Sequence, residues 1–256
     1  MESCADVIEE LRALGSASIK KVLLNHGARE PFFGVKISDM KPIEKRLKPN
    51  YELALELYAS GISDAMYLAG LITDDLKMTR ENLQSWVEAA HWSMHSESTV
   101  PWVASGSLYG RDLAVDWIES PVETTACAGW RTLSCLSLIR PDSELDLIEF
   151  ETLLNRVKSS IHSQPNRVRY SMNGFVIATG CNVSALTEVA ARCAAEIGEV
   201  HVMMGNTACK VPSPPPLSPR LWRKESWERS GRRPNADGRQ VTSTPCLIVR
   251  RDIGGP

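Results

Sequence analysis

With 256 residues, 43% of them hydrophobic, the chain is long enough to bury one large core or two small ones without disulfides or a structural metal. Its 29 basic and 31 acidic residues leave a formal charge of −2, which excludes a strongly basic or strongly acidic molecule as a whole. The longest apolar runs, such as 135–139 and 175–179, fall far short of the roughly 20 residues that a bilayer span needs, so no membrane crossing is expected.

Helical periodicity begins at the N-terminus. Apolar positions step by three and four through Val7, Ile8, Leu11 and Leu14, then Ile19, Val22 and Leu23, then Leu53, Leu57 and Tyr58. Over 79–92, Leu83, Trp86, Val87 and Ala90 share a face, and Thr79 stands where its hydroxyl can accept from the free first-turn amides. The clearest helix covers 145–161, with Leu147, Phe150, Leu154, Val157 and Ile161 on one stripe. A last stripe takes in Val183, Leu186, Val189 and Cys193. Gly15-Ser16, Pro49-Asn50, Gly61, Ser120-Pro121, Pro141-Asp142 and Gln164-Pro165 cut these segments short. Pro121 and Pro165 are expected in the first turn of a helix, where a missing N–H costs nothing. Only 200–204 reads as extended. About ten helices with short links predict an all-α stack of antiparallel helix pairs over 1–210, although no clean repeat of about 40 residues shows in the sequence.

From Val211 the composition changes. Eight of the 15 prolines lie in 211–256, no apolar period follows, and a Pro/Arg-rich tail without ordered structure is expected there. Arg220, Arg223, Lys224 and their neighbours, with Trp222 and Trp227, read as a solvated basic tail before they read as a nucleic-acid contact. The tail's nine basic and four acidic residues leave 20 basic against 27 acidic over 1–210, an acidic body that counts against phosphate binding except along a local basic stripe. Seven scattered cysteines with no C-x-x-C pair, and a start without a secretory leader, point to reduced thiols in the cytoplasm.

The stretch Phe33-Gly34-Val35-Lys36-Ile37-Ser38-Asp39-Met40 resembles the "FGV…(S/P)DL" entry to the second helix pair of the AlkD-type DNA alkylation repair proteins, and 51–58 and 64–71 are similar to the segments that follow it there. The resemblance runs from about residue 5 to residue 210. It implies a HEAT-like solenoid whose concave face holds duplex DNA, and a monofunctional glycosylase that excises cationic N3- or N7-alkylated purines without a cofactor. A cationic base is already a good leaving group, so a carboxylate near the sugar and electron-rich rings near the cation would suffice.

Carried over position by position, the resemblance is incomplete. The family's W-x-T-V-D stretch falls on Glu97-Ser98-Thr99-Val100-Pro101, which puts Glu97 at the tryptophan and Pro101 at the catalytic aspartate. Either Glu97 supplies the carboxylate in exchange, with Trp102 as the ring, or excision is lost. A second family tryptophan falls on Phe175, and Arg131 matches an arginine used against the DNA backbone. Arg167, Arg169 and Tyr170 follow Pro165-Asn166 and would point donors at phosphates from a helix start. Lys36 opens the basic cluster Lys36, Lys41, Lys45, Arg46 and Lys48. His91 and His95 are spaced to share a helical face, but no third ligand accompanies them, so no metal is expected. A monomer that binds duplex DNA is the first reading. A non-catalytic scaffold for a protein partner or for DNA is the second, motivated by the acidic body and the missing aspartate.

Overall fold

The computed structural model describes residues 2–214, so the expectation of a disordered tail over 211–256 lies almost wholly outside the described residues. Within them are twelve α-helices and no strand. They are α1 (Cys4–Ala13), α2 (Ala17–Asn25), α3 (Ile37–Leu47), α4 (Tyr51–Ala59), α5 (Ser63–Ile72), α6 (Arg80–Ala89), α7 (Val100–Gly106), α8 (Gly110–Trp117), α9 (Glu123–Ile139), α10 (Leu147–Ser160), α11 (Asn166–Asn182) and α12 (Thr187–Ile197).

Local chemistry starts these helices where the sequence indicates. Thr79 caps α6 by accepting from the Asn82 amide while the Asn82 side chain returns to the Thr79 amide, and Asp146 caps α10 through the Glu149 amide. The 145–161 stripe is buried at Phe150, Leu154, Val157 and Ile161, with Leu153 added. Three expectations need correction. Pro165 has an extended ψ of 158° and is the residue before α11, and Pro121 lies ahead of the Val122 that precedes α9, so both stand before the first turn. Val22 is exposed, because α2 packs on its neighbours through Leu23 and, in part, Ile19. Residues 200–204 pair with no strand and run as irregular chain.

The helices form an all-α solenoid of antiparallel HEAT-like pairs. An inner row of α5, α7, α9 and α11 packs in series, and α4, α6, α8, α10 and α12 back it from outside. One core gathers α1 and α3 to α7, centred on Leu57, Met66, Leu68, Ile72 and Leu83. The other gathers α9 to α12 around Trp130, Phe150, Phe175 and Val176, and α8 contributes to both. The repeat that composition conceals shows in the outward ion pairs. Arg46 with Glu10, Arg80 with Asp116, Arg111 with Glu149 and Arg156 with Glu119 join residues 36, 36, 38 and 37 positions apart. Such exposed pairs each contribute about 1 kcal/mol at most, so they mark the repeat more than they stabilise it.

The "FGV" entry has a direct structural reason. Asp64, buried at the start of α5, accepts from the amides of Phe33 at 2.5 Å and Val35 at 2.9 Å. Gly34 between them has φ +80°, and a Cβ there would come within 2.7 Å of the Lys20 amide nitrogen on α2. One carboxylate thus fixes the loop that joins the first helix pair to the second. Asp64→Ala is expected to lower the unfolding free energy by about 3 kcal/mol, since two buried amides lose a charged acceptor; urea denaturation of the variant against the parent chain checks it.

Candidate functional site

A groove of about 530 Å³ crosses the inner face where α9 and α11 begin. Its walls come from the end of α2 (Leu23, Leu24), the turn before α7 (Trp92, Met94) and the chain beyond α12 (Met203, Met204). Its floor is an ion pair. Glu97 and Arg167, 70 positions apart, meet in a bidentate contact, Nε to Oε1 at 2.7 Å and Nη2 to Oε2 at 2.6 Å. The Glu97 side chain is 6% exposed and that of Arg167 28%. Burial alone would lower the Arg167 pKa, but the charge and hydrogen bonds of Glu97 more than offset it and hold the guanidinium above its ordinary value. The guanidinium also lies 4.4 Å from the centre of the Tyr170 ring. Glu123, the first residue of α9, accepts from the Arg167 backbone amide at 2.7 Å and so holds the first turn of α11. Both carboxylates that line the groove are therefore engaged with Arg167.

The turn that presents Glu97 is a single π-helical segment, His95–Thr99, running straight into α7. It carries Glu97 toward α11 and leaves Pro101 buried inside α7. His91 precedes this segment and His95 lies on it, so the two do not share one regular helical face; among the described residues no cluster of three or more ligating side chains occurs.

The structure brings Glu97, Arg167 and Arg131 together and separates the rest. Arg131, 1% exposed on α9, donates from Nε to the Glu97 carbonyl at 3.2 Å, and Gly174 on α11 leaves room for its guanidinium where a Cβ would stand 2.9 Å from Nη1. A buried arginine bound to this turn does not reach a phosphate, so that expectation is corrected. Phe175 is fully buried between Trp130 and Phe150, at ring distances of 5.4 and 5.5 Å, and presents no face to a ligand. Trp102 packs edge-on against Tyr67 at 5.5 Å and is not part of the groove, so it does not accompany Glu97. Lys36 is exposed just ahead of α3, and Arg169 lies two residues beyond Arg167 with its Nε buried and without a hydrogen-bond partner. Sequence reasoning passed over Trp92 and the exposed Arg29 at the groove edge, and it set Tyr170 toward phosphates where the structure lays its ring against the Arg167 guanidinium. Only the basic charge of Arg29 beside Gly27 could have flagged one of them.

Two further groups bear on chemistry. Cys127 lies under the ion pair, and burial first and the Glu97 charge second raise its thiol well above the ordinary value, which disqualifies it as a nucleophile. Asp75 packs against Gly106 and burial pushes its carboxyl up to about 7, opposed by the charge of Lys48, but it does not line the groove.

Fold and groove together define a helix-pair solenoid with an inner cleft floored by an arginine-carboxylate pair. Residues 7–190 match the DNA alkylation repair enzyme family, and the chain belongs to it. It is 38% identical over 213 residues to an uncharacterized protein of Listeria monocytogenes and equally to one of Listeria innocua, covering 79% of this chain and 90% of each relative. A solved structure from a family related to the HEAT-like repeat DNA glycosylases, with affinity for branched DNA structures, superposes with a TM-score of 0.78 at 33% identity, over 90% of this chain and 94% of that one. Among the described residues no single helix is long and apolar enough to cross a membrane.

His95 makes the site's setting sensitive to acid. It is 0% exposed, with neither ring nitrogen hydrogen-bonded, and is ringed by Tyr58, Trp92 and His91 at 6.3, 6.0 and 5.1 Å. Burial first, and the neighbouring His91 second, pull its pKa from 6.5 to about 3. Below pH 6.5 the unfolded chain takes up a proton that the folded chain refuses, so stability present above that pH is lost as the pH falls toward 3. The loss attributable to this ring is about 2 kcal/mol between pH 7 and pH 5. His95→Phe is expected to remove that part of the acid sensitivity, read from denaturation midpoints at the two pH values.

Proposed function

We propose that this chain binds DNA across its inner groove, with preference for branched structures, and that it does not excise bases. The observation that carries the reading is the engagement of the groove's carboxylates. Glu97 commits both oxygens to Arg167, and Pro101, which the resemblance sets at the family's acid, is a buried residue of α7. Stabilising an oxocarbenium-like sugar needs a charge aimed at the substrate, and a carboxylate already neutralised by a bidentate arginine supplies little of it. The preference for branches is supported by the affinity of the 33% identical relative and by the groove's lining. Leu24 is 49% exposed on the groove wall that Trp92 also lines. Exposed apolar groups next to a ring suit the unstacked bases of a junction better than an intact duplex. Arg29 on the groove, Arg169 on α11 and the exposed Lys36 ahead of α3 are the cations we assign to phosphate contacts.

A four-way junction is expected to bind about tenfold tighter than a duplex of the same length, with affinity falling as salt rises. Arg29→Ala and Lys36→Ala should each reduce the salt slope by about 1, and a duplex carrying N7-methylguanine should release no base. Failure to bind any of these DNAs at low salt would sink the reading and leave the protein-scaffold role, which the acidic body favours. Base release abolished by Glu97→Gln would restore excision.

A further inference from the structure

Beyond α12 the chain turns at Gly198 and runs without regular structure to Pro214. Val200 is buried in the second core, but no side chain from His201 to Pro214 is. What holds this stretch is polar and lies on α11. Asn166 uses both ends of its amide on the main chain of Met203, accepting from the N–H at 2.7 Å and donating to the carbonyl at 2.9 Å. About two helical turns further on, Asn173 donates to the carbonyl of Pro212 at 2.7 Å. Two side-chain amides on one helix thus hold main-chain atoms of an extended segment, a mode of contact that asks nothing of that segment's side chains.

Between these anchors the segment forms one side of the groove. Met203, Met204 and Cys209 form part of the groove wall, and the Met204 sulfur lies 3.6 Å from Arg167 Nη1. A Cβ on Gly205 would come within 3.0 Å of the Asn25 carbonyl at the end of α2, so the chain reaches from the last repeats to the first. Under it is a cavity of about 1170 Å³ that Arg169, Asn173, His201 and Lys210 help to line. A stretch that is undercut and tied by a few hydrogen bonds belongs to the part of a fold that opens most easily. It also lies beside Arg169, whose buried Nε has no hydrogen-bond partner.

We infer that residues 203–214 are a strap that walls in the inner groove in cis, held by Asn166 and Asn173, and that DNA has to displace it. The valines at 200 and 202, packed with the second core, stay behind as the hinge. The competition with DNA rests on the DNA-binding reading above; the anchoring by the two asparagines does not. Opening the strap uncovers the Arg167 and Arg169 side of α11, so affinity is set by the balance between strap and DNA for one surface.

The test uses the full chain with Asn166→Ala and Asn173→Ala, singly and together, with helical circular dichroism as the control for folding. Hydrogen exchange over 203–214 is expected to speed up in the double variant while α11 keeps its protection. Junction affinity should rise by about tenfold, as expected when hydrogen bonds that close the strap are lost. In the parent chain, added junction should speed exchange over the same residues. Unchanged exchange in the variants means that the asparagines do not hold the segment and overturns the inference. Faster exchange with unchanged or weaker junction binding means that the strap does not compete, and overturns it equally. If neither protein binds DNA at low salt, the DNA-binding reading has failed and competition falls with it, whereas the exchange data still decide the anchoring. Should the double variant not fold, Asn166→Ala alone, at the exposed start of α11, gives the same readings.

Discussion

The bidentate contact between Glu97 and Arg167 is the constraint around which the inner face is arranged. It joins the π-helical turn ahead of α7 to the first turn of α11 across 70 residues of sequence. Neither charge is tolerable there alone, because withdrawing a carboxylate from water costs several kcal/mol unless a partner and further hydrogen bonds compensate. The surrounding contacts fix both residues in place. Arg131 supports the carbonyl of Glu97, Glu123 holds the backbone of Arg167, and Tyr170 lies against the guanidinium. The consequence is chemical as well as structural, since a carboxylate that secures two helices to each other is not available to a sugar.

Around that contact the solenoid divides its tasks. Stability comes from two apolar cores that share α8, while the outward ion pairs at intervals of 36 to 38 residues repeat without weighing much. The inner face carries the polar work. Its arginines are buried and bound to the protein (Arg131), paired but facing the groove (Arg167), or partly exposed without an ion pair to Glu97 (Arg169). This grading separates residues that build the groove from those that can serve a ligand, although all three are arginines on inner helices.

Much of the fold was legible because helix stripes and caps are local. The α10 stripe and the Thr79 cap depend on residues within a few positions of each other, and both stand as read. The "FGV" loop was recognisable for a similar reason, since Gly34 must take a positive φ and Asp64 must be there to accept. The site was less legible because its partners are remote. Nothing near Glu97 announces Arg167, and nothing near Arg131 announces that its guanidinium is spent on the Glu97 carbonyl. Phe175 shows the other failure: an aromatic aligned with a contact residue is equally an aromatic that fills a core, and between Trp130 and Phe150 it does the latter. The π turn is likewise invisible in the pattern, because it rotates the chain only once and for five residues.

Whether Glu97 is a structural ion or an available acid is the point on which the account turns. A double-mutant cycle in denaturant, with Glu97→Gln, Arg167→Met and the pair, measures it most directly. A structural ion pair gives a coupling energy of about 2 to 3 kcal/mol, with Arg167→Met alone the most destabilising because it strands a buried charge, and with part of the loss recovered in the double variant. A coupling below about 0.5 kcal/mol, the size found for exposed pairs, would contradict it and return Glu97 to the list of groups free to act on a substrate.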